Sequence, residues 1–265
     1  MRKKSTTRPR PGNPPETSEI PVFVAAPEVA RRWYEQWHDA ADEVRNPEER
    51  AAFTDLLDAA KKSIDSDDPI DTSLLLRAVN STAKDPRSLA IHLLHDLLKT
   101  QPNAADTLNW FFANTNANGR AMIARGLSGD HPAIAHADLI EFFGKALRDR
   151  SAWVRECAAV ALGYRRIEDG LPLLTQLRSD TKSTDEQEML DQMIAYIKRG
   201  YHVIPPEDPN DDRYTIMYVQ EFSSGQIGRP TFWVSSRRFR KYGAEFLVRV
   251  NRLRYDREHE WRDED

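Results

Sequence analysis

Between residues 27 and 200 one pattern recurs and constrains the fold more than any other feature: short apolar stripes at helical spacing, arriving in pairs, broken by polar joints. Val29, Trp33, Trp37 and Ala41 lie four residues apart in a stretch that opens at Pro27 and ends near Val44. That spacing stacks them on one face of a helix. Phe53, Leu56, Leu57, Ala60 and Ile64 follow Asn46-Pro47, a cap residue before a proline whose missing N–H costs nothing at a helix start. Asp85-Pro86 repeats the signal before Leu89, Leu93, Leu94 and Leu97. Asp71 and Asn103 are read as further helix caps, and Thr184 with Gln187 as a capping box whose helix stops at Gly200.

The stripes make about ten helices, and pairs of them begin near residues 72, 104, 138 and 168, a spacing of 30 to 34. A fixed period in this range signals stacked helical hairpins. Each hairpin is apolar on more than one side and buries that surface only against a neighbour. The expected fold class is therefore mainly α: an α-α superhelix over 27–200. The segment Gly119 to Leu127 is the weakest helix, with a glycine at its start and Met122, Ile123 and Leu127 as its apolar positions. An apolar content of 40% suits an elongated chain with much surface per residue.

Residues 139–177 read LIEFFGKALRDRSAWVRECAAVALGYRRIEDGLPLLTQL. This segment resembles a HEAT-like repeat of the short bacterial type, also found in phycobilisome-lyase-related proteins. The resemblance rests on Leu147 and Asp149, Trp153-Val154-Arg155, Ala158-Ala159, Ala161-Leu162-Gly163 and Leu171-Pro172-Leu173-Leu174. Over 27–137 only the spacing carries it. The family pattern implies that Asp149 and Arg155 pair to set the stacking. It also implies that the second helices of the pairs, including 153–164 and 185–198, line the inner surface.

After Gly200 the texture changes. Residues 201–212 hold prolines and acids without periodicity and read as a linker. Tyr214 to Phe222 and Thr231 to Val234 are rich in aromatic and β-branched residues and read as strands. Residues 246–255 read as a third strand whose alternation is imperfect, with a helix over 236–253 as the alternative. The module 213–257 carries ten Arg/Lys against three Asp/Glu, a net +7 in a chain of net charge −4. Arg237, Arg238, Arg240 and Lys241 cluster beside Trp233, Phe239 and Tyr242, with Arg249, Arg252 and Arg254 further on. Basic side chains interleaved with aromatics can neutralise phosphates and stack on bases. They equally make a cationic face for an acidic protein. Residues 1–26 read as a disordered basic tail and 258–265 as an acidic one.

Other candidates are weaker. His92 and His95 have metal-ligand spacing but fall on the polar face opposite the leucines; His131, His136 and Asp138 lack a further ligand nearby. Cys157, the single cysteine, reads as a small apolar group. No phosphate-loop, dinucleotide or zinc-protease motif is present, so no catalytic residue, metal or cofactor is assigned. The expectation is a non-enzymatic, cytoplasmic, protein-binding solenoid: an adaptor, an assembly factor or an inhibitor of the immunity type. The alternative is nucleic-acid binding through 213–257, and the third reading is a prosthetic-group lyase like the repeat's relatives. No membrane partner is expected.

Overall fold

The computed structural model of the chain describes residues 27–66, 70–208, 210–221 and 227–260. The tail assigned to 1–26 and the residues from 261 onward lie outside them. The described chain is mainly helical and carries a small three-stranded antiparallel sheet.

Ten helices precede the sheet: α1 (Pro27–Trp37), α2 (Pro47–Ser66), α3 (Thr72–Val79), α4 (Lys84–Leu98), α5 (Ala104–Asn114), α6 (Ala117–Gly126), α7 (His136–Ala146), α8 (Ala152–Arg165), α9 (Leu171–Asp180) and α10 (Thr184–Arg199). Each odd-numbered helix packs on the even-numbered helix after it, and the even-numbered helices pack on one another in sequence order from α2 to α10. One continuous apolar core runs through this array, from Val29 and Trp33 to Met193, Tyr196 and Ile197.

The local signals behave as the sequence suggests, with exceptions. The Asn46 side chain accepts from the N–H groups of Glu48 and Glu49, and that of Asp71 from Ser73 and Leu74. Asp85 is not a cap: α4 starts earlier, with Ala83 at the cap position and Asp85 in the first turn, where its charge favours the helix dipole. Ser183, not Thr184, caps α10, accepting from Glu186 N–H, and Gly200 ends that helix in the left-handed region at φ 78°. The doubtful segment 119–127 is helix α6, and it lies at the centre of the even-numbered row between α4 and α8.

Small residues let the even helices approach. Ala158, Ala159, Ala161 and Gly163 of α8 are all buried. A Cβ on Gly163 would stand 2.6 Å from Met193 Sδ and 3.2 Å from Met193 Cα, so nothing larger than glycine fits against α10 without a backbone shift.

The assigned linker opens with a strand. β1 (Tyr201–Ile204) pairs antiparallel with β2 (Arg213–Tyr218), and β2 pairs with β5 (Thr231–Ser235), giving the order β1-β2-β5. Between them β3 (Gln220–Glu221) and β4 (Ile227–Gly228) form a two-stranded ribbon. The expected third strand at 246–255 is helix, as in the alternative read over 236–253: α11 (Ser236–Glu260) is two helical segments joined at Gly243, whose φ of 72° and ψ of 161° are not helical. The reason is packing. Ala244, Leu247 and Val248, at helical spacing after Gly243, and Phe239 before it cover the sheet face formed by Tyr214, Ile216, Tyr218, Phe232 and Val234. The opposite sheet face meets α10, where Gln192 Nε2 lies 3.7 Å from Met217 Sδ. Among the described residues no helix is long and apolar enough to cross a membrane.

Candidate interaction surface

One contact recurs at the start of every even-numbered helix. The fourth residue of α2, α4, α6, α8 and α10 is Arg50, Arg87, Arg120, Arg155 and Gln187. Each side chain turns back to donate to a carbonyl of the preceding joint: Arg50 to Val44 at 2.9 Å, Arg87 to Ser81 at 2.8 Å, Arg120 to Thr115 at 2.7 Å, Arg155 to Asp149 at 3.0 Å and Gln187 to Thr181 at 2.8 Å. These donors satisfy carbonyls that the joints would otherwise leave unpaired.

The expected pair of Asp149 with Arg155 does not form between side chains. Arg155 reaches only the Asp149 carbonyl, and each side chain bridges to a neighbouring helix instead. Asp149 accepts from Arg120 Nε at 2.6 Å and Nη2 at 3.2 Å, linking the joint before α8 to α6. Arg155 donates to both carboxylate oxygens of Glu186, at 2.9 and 3.1 Å, linking α8 to α10. The geometry explains the swap. Asp149 Oδ1 already accepts from Ser151 N–H and so faces backwards to α6 rather than forwards. Burial opposes ionisation of Asp149, yet the Arg120 guanidinium and Ser151 N–H hold its carboxyl below the usual range. The Arg155 guanidinium does the same for Glu186, aided by the Thr181 hydroxyl. Sequence reading missed Arg120 and Glu186, although the arginine spacing was visible in it.

A groove of about 230 Å³ opens across α6, α8 and α10. Arg125, Trp153, Glu156 and Met189 line it, and Arg229, just after β4, lies 5.2 Å from the ring of Tyr164. Trp153 is therefore not a core residue; it is 41% exposed. Cys157 also borders the groove, but burial pushes its thiol up to about 11, so it stays protonated at neutral pH and is a poor nucleophile.

The basic residues singled out from Arg237 to Arg254 separate into three groups. Arg237, Arg238, Arg240, Lys241 and Arg249 are exposed along α11. Phe239 is not available for a partner, because it stacks on Tyr214 at 4.3 Å inside the module core. Arg252 is half-buried and donates to the Val219 carbonyl at 3.0 Å, and the side chain of Arg254 lies outside the described residues.

Six large apolar side chains are exposed among the described residues, and four of them are on α11: Tyr242, Phe246, Val250 and Leu253. Phe246, Val250 and Leu253 recur at helical spacing after Gly243, and Tyr242, before it, joins them through its ring. The Tyr242 and Phe246 rings stack at 5.4 Å, with Lys241 over the first and Arg249 over the second. Leu253 is 59% exposed, and Trp233 on the edge strand β5 is 71% exposed.

The histidines differ from expectation. His92 is exposed, but His95 is buried and its Nδ1 lies 3.0 Å from His131 Nε2. His131 Nδ1–H donates to the Gly129 carbonyl, so Nε2 of this neutral ring accepts and His95 Nδ1–H donates. Gly126 makes room for the pair, since a Cβ there would stand 1.9 Å from His95 Nε2. His136 instead meets Asp169 at 2.8 Å. Among the described residues no group of three or more potential ligands gathers as a metal site would require.

No family model, no curated protein and no solved structure matches the chain.

Proposed function

We propose that this chain is a non-enzymatic binding protein: a HEAT-like solenoid of five helical hairpins that presents its C-terminal module to a protein partner. The in-order packing of the even-numbered helices supports the solenoid reading, as does the side chain that caps the preceding joint at the fourth position of all five. The observation that carries the function is the α11 stripe. Exposed apolar patches rimmed by polar groups mark contact sites. Val250 and Leu253 are aliphatic and have no base-stacking role, whereas an amphipathic partner helix covers such a stripe along its length. The flanking cations select an acidic partner. The groove around Trp153 adds a second anchor of the residue type that dominates protein interfaces.

Nucleic-acid binding is the second reading, favoured by the stacked Tyr242–Phe246 pair between Lys241 and Arg249.

The test of the first reading is affinity capture from nuclease-treated extract of the source cells, comparing the wild-type chain with a Phe246→Glu/Leu253→Glu variant of unchanged helical content. One acidic protein retained by the wild type and lost by the variant is the expected outcome. Equal retention by both would remove α11 from the interface.

A further inference from the structure

The three-stranded sheet has two edges, and they are treated differently. Where β1 pairs with β2, the Val219 N–H bonds the Gly200 carbonyl, so Tyr201 and Val203 turn their backbone groups outward. Arg199 Nε blunts that edge by donating to the Tyr201 carbonyl at 3.0 Å, and Pro205-Pro206 follow the strand.

The other edge is β5. Tyr218 N–H bonds the Pro230 carbonyl, and Ser236 N–H bonds the Asp212 carbonyl, which sets the alternation between β2 and β5. Phe232 and Val234 therefore bond towards β2, whereas Thr231 and Trp233 turn both N–H and C=O outward, and Ser235 its N–H. Among the described residues no strand lies beyond β5, and the outward groups of Trp233 have no backbone partner.

This edge carries an anchor and a field. The Trp233 side chain, at the middle of β5, is 71% exposed. Tryptophan is among the residues that dominate protein interfaces. Arg229 and Arg237, four residues to either side of Trp233, are exposed, as is Arg238. Among the described residues none of the three has a carboxylate at ion-pair distance.

The charges decide what can add to the edge. A second copy pairing antiparallel about Trp233 would bring Arg229 and Arg237 together at both ends, and like charges across a strand pair are destabilising. An extended segment with acidic residues at both ends meets cations instead.

We propose that the outer edge of β5 takes an extended, acid-flanked segment of a protein partner as a fourth strand, with an apolar residue seated against Trp233. Main-chain bonds at Thr231, Trp233 and Ser235 supply affinity, and the Trp233 contact and the flanking arginines set the register. The proposal rests on the reading of the chain as a protein-binding one, but it uses a surface other than the α11 stripe.

The test titrates the full chain with the capped synthetic peptide Asp-Glu-Val-Thr-Val-Thr-Val-Asp-Glu and follows backbone amide exchange along β5 by NMR. The amides of Thr231, Trp233 and Ser235 slow on binding, whereas those of Phe232 and Val234, already bonded within the sheet, change little. The same peptide N-methylated at its five central residues keeps every side chain and charge and does not bind. Trp233→Ala weakens binding about tenfold, as loss of an interface anchor does. Trp233→Pro also removes an outward N–H without touching the β2 ladder, and it abolishes binding. No binding at millimolar peptide would overturn the proposal. So would slowing confined to amides outside β5, or equal binding of the N-methylated peptide. Equal binding of a copy with lysine in place of each acid would overturn the acidic assignment. Slowing of the same three amides that grows with protein concentration, without peptide, would put a second copy on the edge and overturn the assignment to a partner segment. Trp233→Pro leaves the α11 stripe in place, so failure here is distinct from failure of the capture experiment on Phe246 and Leu253.

Discussion

At the residue scale, the bridging side chains carry the sharpest consequences. Asp149 joins Arg120 and Ser151 in one partly buried group, so Asp149→Ala strands the Arg120 guanidinium with one partner fewer. Hydrogen bonds to charged groups are worth about 1.5–3 kcal/mol. Urea unfolding of Asp149→Ala is expected to show a loss in that range, against under about 0.5 kcal/mol for an ordinary surface change. Arg155→Ala is expected to behave alike through Glu186. Because both carboxyls ionise more readily in the folded chain, their contribution is complete above the ordinary carboxylate range and disappears as pH falls through the lowered folded-state values. Trp153 and Leu162 provide a second contrast. Leu162 is fully buried, and its truncation to alanine costs about 2–5 kcal/mol. Trp153→Ala in the groove should cost clearly less, by the same measurement, because part of the ring already faces water.

At the element scale, the His95–His131 pair ties α4 to the joint between α6 and α7. Burial is the main cause that lowers both rings, with His131 reaching about 4. Neighbouring His92, Lys99 and Arg165 push further down, while Asp130 and the Gly129 carbonyl pull the other way for His131. The sign follows from linkage: between pH 6.5 and 4 the unfolded chain binds the proton that the folded one refuses. Stability therefore falls as pH drops through that window, by roughly 3 kcal/mol from His131 alone. His131→Gln, which keeps a donor and an acceptor but does not titrate, should flatten this part of the curve in urea unfolding at stepped pH. A slope unchanged in the variant would assign the loss to other groups.

The same scale shows what was legible in the sequence. Helix pairing was legible because stripes such as Leu89, Leu93, Leu94 and Leu97 need only local periodicity. Helix α6 was nearly invisible because Gly119 and Gly126 weaken propensity; both are small because Val79 and His95 press against them. Helix α11 read as a strand because Leu247 to Val250 place apolar and basic residues on several faces at once. One face covers the sheet and another is the exposed stripe, so neither period dominates. Of the candidate site, the exposed cations and Trp233 were legible as composition. The burial of Phe239 and the surroundings of Arg252 were not, because both depend on partners about 25 to 88 residues away in sequence.

At the scale of the whole molecule, an ordered row of helices carries a small sheet whose covering helix faces outward with an unpartnered basic and apolar surface. The proposed function puts a protein, and not a nucleic acid, on that surface. A mobility-shift titration against single-stranded DNA, duplex DNA and RNA tests this most directly, run at several salt concentrations near the physiological value. A nucleic-acid grip by Arg237, Arg238, Arg240 and Lys241 would release one condensed counterion for each phosphate neutralised, so affinity would fall steeply with salt. A protein-binding surface gives no shift at micromolar protein. A salt-sensitive shift abolished when those four residues are replaced by alanine would contradict it.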